Sequence, residues 1–122
     1  MHRLNSEALL KLTHHFAQCF AAPKSGGIVL LSSLVGFQGG SFAAHYVATK
    51  ACVQSFAEGL AVELKPYNVL VFAVAPRPVR TSFEAKANIN MNVALNPNQI
   101  STPTLEALGK KRQYCQGVLQ YC

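Results

Sequence analysis

Two short apolar runs, separated by one long helix-like stretch, restrict what this chain can fold into more than any other feature. The first is "GIVLLSSLV", beginning at Gly27, and the second is "VLVFAVAP", ending at Pro76. Neither alternates polar with apolar residues, which is how strands covered on both faces read. They predict strands over 27–34 and 69–75. Between them the spacing predicts a helix over 44–65, apolar nearly all round, which needs cover on two sides. A crossover of that length joins parallel strands rather than a hairpin. Before the first strand, Leu9, Leu12, Phe16 and Phe20 recur at helical spacing and predict a helix over 6–21 with one apolar face, capped by Asn5 or Ser6. Helix, strand, long helix, strand is the order of an α/β fold with a parallel sheet.

The rest of the chain is less regular. Residues 77–100 read as a polar loop. "NPNQISTPTLEALGKK" carries helix punctuation, with Asn96 as cap, Pro97 in the first turn and Gly109 as stop. Pro103 falls inside it, so this helix is either kinked or begins at Pro103. "RQYCQGVLQYC" is a possible final strand within 97–122. At 122 residues the chain is one small domain.

Composition excludes several functional classes. Half the residues are apolar and 13% are charged, which favours a packed core over disorder. Eleven Lys and Arg stand against five Asp and Glu, yet no nucleic-acid-binding module accompanies them. A solvated basic edge or an anionic-cofactor site explains the excess without nucleic acid. No apolar run reaches the length of a membrane span. Lys11, His14 and His15 interrupt the N-terminal apolar patch that a signal peptide would need unbroken. Cys19, Cys52, Cys115 and Cys122 form no C-x-x-C pair and read as free thiols of a reducing compartment, so a cytoplasmic location is expected. His14 and His15 are adjacent, point about 100° apart on a helix, and are not read as metal ligands; no metal is expected.

The chemistry gathers at one strand end. Ligands of open parallel sheets bind beyond the carboxyl ends of the strands, which is where Ser33 lies. Tyr46 and Lys50, one helical turn apart, share a face. A phenol titrates near ~10 and is a poor base at neutral pH. A neighbouring ammonium lowers that value, and a hydroxyl such as Ser33 can hold a substrate oxygen against the phenol. Taken alone, a tyrosine on a helix is usually core or rim, and a lysine commonly snorkels. "GFQGG", Gly36 to Gly40, reads as a flexible connection into the helix rather than a phosphate loop. The acid that follows it, Glu58, falls mid-helix and not at the end of a second strand.

The company these residues keep is more specific. "GGIVLLSS", then thirteen residues from Ser33 to Tyr46, then "YVATKACVQSFAEGLAVEL" and "VLVFAVAPRPVRTSF" resemble the core of the short-chain dehydrogenase/reductase family. Asn5 stands 28 residues before Ser33, at the place of the family's helix-start asparagine. The resemblance covers Leu4 to about Phe83, and Pro97 to Arg112 more weakly. It implies an incomplete doubly wound, Rossmann-like parallel sheet representing the family's C-terminal half. It implies NAD(P)-dependent interconversion of a small-molecule alcohol and a carbonyl. Tyr46 would be the general acid/base, Lys50 would lower its pKa and hold the nicotinamide ribose, Ser33 would orient the substrate oxygen, and Asn5 would anchor a relay water. Pro76, Val79 and Thr81 would face the nicotinamide carboxamide. Arg77 replaces the family's glycine after Pro76.

The family's nucleotide-binding half does not precede Asn5 here. Residues 1–122 are therefore expected not to bind NAD(H) or NADP(H) tightly, and a glycine-rich half is expected upstream of Met1 in the coding sequence. The resemblance also implies a homo-oligomer through helices 6–21 and 44–65. The strand over 27–34 is expected to leave an unpaired apolar edge that favours association. The competing expectation is an inactive truncated remnant that serves as a dimerisation or interaction module. Salt-dependent retention on DNA would separate a nucleic-acid binder from both.

Overall fold

A computed structural model describes residues 1–37, 43–77, 95–107 and 113–115. Helix α1 (Leu9–Ala21) is entered through a π-helical segment, Arg3–Ala8. Strand β1 (Gly26–Leu31) and a short 3-10 turn (Leu34–Phe37) follow. Helix α2 (Ala44–Glu63) leads through a second 3-10 turn (Lys65–Tyr67) to β2 (Val69–Ala75). Helix α3 (Asn98–Ala107) and β3 (Gln113–Cys115) complete the described chain. The sheet is parallel, in the order β1-β2-β3.

The two strands of the sequence pattern differ in their surroundings. β2 is central, and every residue in it except Leu70 is buried. β1 alternates instead: Ile28 and Leu30 are buried, while Val29 and Leu31 are exposed. The expectation that both strands are covered on two faces therefore holds for β2 and fails for β1. β1 pairs only with β2 among the described residues, and α1 and α2 pack on one of its faces. It also ends at Leu31, short of the predicted 34, because the chain turns there into the 34–37 helix.

Ile28 and Leu30 from β1, and Val69, Val71 and Ala73 from β2, meet Ala17, Val53, Ala57 and Leu64 in one core. The starts of the strands are level because two loops are tied together. Asn68, in the left-handed region with φ 53°, donates from Nδ2 to the Lys24 carbonyl at 3.1 Å. Gly26 then pairs with Val69 and Leu31 with Val74.

The first helix departs from its sequence reading. It begins before residue 6, and Asn5 and Ser6 lie inside it rather than capping it. Its buried residues are Ser6, Thr13 and Ala17, whereas Leu12 and Phe16, expected to be on the core face, are 60% and 47% exposed. Leu9 and Phe20 pack at the core edge. Leu12 and Phe16 instead line an open groove of about 470 Å³ beside Gly27, Ile28, Val29 and Leu30 of β1.

Helix α3 contains Pro103 well inside it, so it does not begin there. Its entry is a capping arrangement in which Asn96 N–H donates to Gln99 Oε1 at 2.8 Å. Gly109 and positions 78–94 of the polar loop lie outside the described residues.

Candidate active site

The carboxyl ends of β1 and β2 sit side by side. The ladder between them continues past the last paired residues: Ser32 N–H donates to Val74 O at 2.8 Å, and Leu34 N–H to Pro76 O at 3.3 Å. Ser33 is thereby held beside Pro76, half-buried, and its carbonyl accepts from Gly36 N–H at 2.9 Å, closing the 3-10 turn.

Helix α2 brings Tyr46 and Lys50 to the same place. Lys50 Nζ donates to the Leu31 carbonyl at 2.9 Å, so the helix cation is anchored on the strand end beside Ser33. The same Nζ lies 5.8 Å from the centre of the Tyr46 ring, within cation–π range. Burial holds the Lys50 ammonium below the ordinary lysine value, since desolvation disfavours the charged form. Thr49, buried between them in sequence, donates its hydroxyl to the Tyr46 carbonyl at 2.7 Å. That bond satisfies a polar side chain that could not otherwise be buried at low cost.

Asn5 belongs to the π-helical segment, which packs against α2. Such segments are rare and recur at functional sites because they displace backbone groups from the regular ladder. Just before the segment, the His2 ring meets that of His45, one residue before Tyr46, edge-to-face at 6.3 Å. Beside Asn5, the Ser6 hydroxyl is buried with no hydrogen-bond partner among the described residues. Arg77 is exposed, just beyond Pro76. Val79 and Thr81 lie outside the described residues. Ser33, Tyr46, Lys50 and Pro76 are thus gathered at the strand ends, with Asn5 on the adjoining segment.

Two residues of this region carry no role in the sequence reading. Ser32 donates its hydroxyl to the Lys50 carbonyl at 2.9 Å. Gly36 lies against the same peptide: a Cβ there would stand 3.0 Å from Lys50 C and 3.1 Å from Ala51 N. At this end of "GFQGG" Gly36 makes a close contact between backbones; Gln38 to Gly40 lie outside the described residues. The doubled serine and the glycine were the available signals, but neither reveals what approaches it. The open groove over β1 is lined by the π-helical segment, α1 and β1 and contains none of these residues. Among the described residues no group of three or more His, Cys, Asp or Glu is placed to hold a metal ion.

Residues 1–92 match the family model described as short chain dehydrogenase. The chain is 38% identical to retinol dehydrogenase 8 of Homo sapiens over 61% of its own length and 24% of that protein. It is 30% identical to 7beta-hydroxysteroid dehydrogenase of Clostridium sardiniense over 98% of its length and 47% of that protein. A solved short-chain dehydrogenase from Sphingobium yanoikuyae, in complex with NADPH, superposes with a TM-score of 0.83 at 30% identity. That match covers 93% of this chain and 45% of the other. The chain thus spans a quarter to a half of the length of these relatives.

Proposed function

Because the chain belongs to the short-chain dehydrogenase family, we propose that it supplies the proton-transfer half of an NAD(P)-dependent oxidoreductase that interconverts a small-molecule alcohol and a carbonyl. The observation that carries this reading is the joining of Tyr46, Lys50 and the Ser33 strand end through the 2.9 Å bond from Lys50 Nζ to Leu31 O. Tyr46 gives its phenolic proton to the carbonyl oxygen in reduction and takes the alcohol proton in oxidation. Lys50 holds its ammonium by the Tyr46 ring, 5.8 Å from its centre, on the same helix face. Ser33 donates a hydrogen bond to the reacting oxygen, and Asn5 holds the water through which the proton is exchanged with solvent.

The residues present fit the nicotinamide end of a dinucleotide. One of the three Lys50 N–H donors is engaged by Leu31 O, and the others can meet ribose hydroxyls. Pro76, Val79 and Thr81 follow the central strand and would border the carboxamide. When bound, the nicotinamide gives or accepts the hydride. NAD and NADP are both compatible with these groups. Retinoids and hydroxysteroids, named for two relatives, are reasonable first substrates to try. Carbonyl reduction with nicotinamide deuterated at the reacting carbon tests the reading. Deuterium is expected on the new carbinol carbon of the product; product formed without it, or no product at all, overturns it.

Association through α1 and α2 belongs to the same reading. Leu12, Phe16 and Val62 are 60%, 47% and 57% exposed, and β1 has an unpaired edge among the described residues. Sedimentation velocity at low micromolar concentration is expected to show a dimer or larger assembly, and a compact monomer would contradict it. No helix among the described residues is long and apolar enough to cross a membrane.

A further inference from the structure

The peptide between Lys50 and Ala51 is held from two sides by residues outside the catalytic set. Ser32, 3% exposed, donates its hydroxyl to the Lys50 carbonyl at 2.9 Å. Gly36 leaves room for that peptide and nothing more, because a Cβ would approach three of its atoms at 3.0 to 3.2 Å. Both residues flank Ser33 in the chain, and Ser32 is itself fixed to the central strand through Val74 O at 2.8 Å. A second bond crosses in the opposite sense, from Lys50 Nζ back to Leu31 O.

These attachments differ in kind. The Lys50 bond to Leu31 O is made through a long side chain with several rotatable bonds, so it holds the helix backbone only loosely. The Ser32 bond is to backbone and stays wherever the ammonium goes. We propose that Ser32 is a positioning residue: its hydroxyl seats the Lys50–Ala51 peptide against the strand end, with Gly36 as the clearance that permits it, and so sets Tyr46 and Lys50 in register with Ser33. This rests on the reading of Tyr46 and Lys50 given above. The lowered Lys50 value supports it, since a seated helix turn keeps the ammonium partly desolvated. Among the described residues, few other charged groups stand on the elements around that ammonium. Of the elements packed against α2, neither β1, β2 nor the 34–37 turn contains a titratable side chain. The π-helical segment carries Arg3 and Glu7, the latter paired with Lys11 at 2.6 Å. Lys65 and Tyr67 stand at the far end of α2, while Tyr46 lies on α2 itself.

The test does not depend on activity. Lysines of the 122-residue chain are reductively methylated with carbon-13, the Lys50 resonance is assigned by its loss in Lys50→Arg, and its titration is followed by NMR. Ser32→Ala is expected to move the Lys50 midpoint up, toward the ordinary lysine value, and Ser32→Thr, which keeps the hydroxyl, to restore it. If Ser32→Ala lowers the melting temperature but leaves the Lys50 midpoint in place, Ser32 is core filling and the proposal is wrong. Should Ser32→Ala not fold, Gly36→Ala pushes on the same peptide and must move Lys50 in the same direction; an unmoved midpoint there overturns the proposal equally. A Tyr46→Phe variant that keeps activity would sink the functional reading while leaving the Lys50 titration unaltered, so the two failures are distinguishable.

Discussion

Tyr46→Phe is expected to lower the rate of carbonyl reduction by about 10²- to 10⁴-fold, the usual contribution of a positioned general acid. Phenylalanine keeps the ring, and the ring is what the fold uses here: Tyr46 is half-buried, its backbone carbonyl accepts from Thr49, and its ring stands 5.8 Å from Lys50 Nζ. None of these contacts requires the phenolic oxygen. The cost should therefore fall on kcat, with the unfolding midpoint nearly unchanged. Steady-state rates and urea unfolding on the same preparation separate the two. A variant with an undiminished rate would end the assignment of Tyr46, and one that unfolds would show a structural role for the hydroxyl instead.

Phe72→Ala is expected to have the largest effect on stability, about 3–5 kcal/mol. Phe72 is 1% exposed in the central strand, next to Val74 at 0% in the alternating pattern of the same face. Truncation leaves a cavity in a strand bonded on both sides, where neighbours cannot collapse to fill it. Domains are commonly stable by only about 5–15 kcal/mol, so this single change removes a large share of the total. Val29, its register partner on β1, offers the contrast: it is 39% exposed, and Val29→Ala should cost far less. Urea midpoints measured at constant slope give both numbers. A Phe72→Ala loss under about 1 kcal/mol would mean that the central strand is not the anchor described here.

The limits of β2 could be read from the chain because its signals agree. The turn residues Pro66 and Asn68 precede it, an unbroken apolar run forms it, and Pro76 ends it. The pairing of Tyr46 with Lys50 was equally legible, since helical spacing alone puts them on one face. The first helix was harder. Asn5 and Ser6 look like caps, but a cap is a statement about backbone conformation, and here the backbone is already helical at His2. Nothing in "RLNSEA" signals a wide π-helical turn. Leu12 and Phe16 were misplaced for a related reason: periodicity says which residues share a face and is silent on whether that face meets a partner. Ser32 and Gly36 escaped because their roles are defined by a peptide that lies 18 residues from Ser32 and arrives only through folding.

The two hydrogen bonds that extend the ladder past Leu31, at Ser32 and Leu34, give the site a mechanical dependence on one strand. They hang the serine segment on the buried β2, while the segment's own strand, β1, has an exposed face. Heat or denaturant that loosens β1 first would unhook Leu34 from Pro76, and Ser33 with it, before the interior lets go. Function in such an arrangement has a lower melting temperature than the protein does, and the gap between the two reports how firmly an outer strand is clasped.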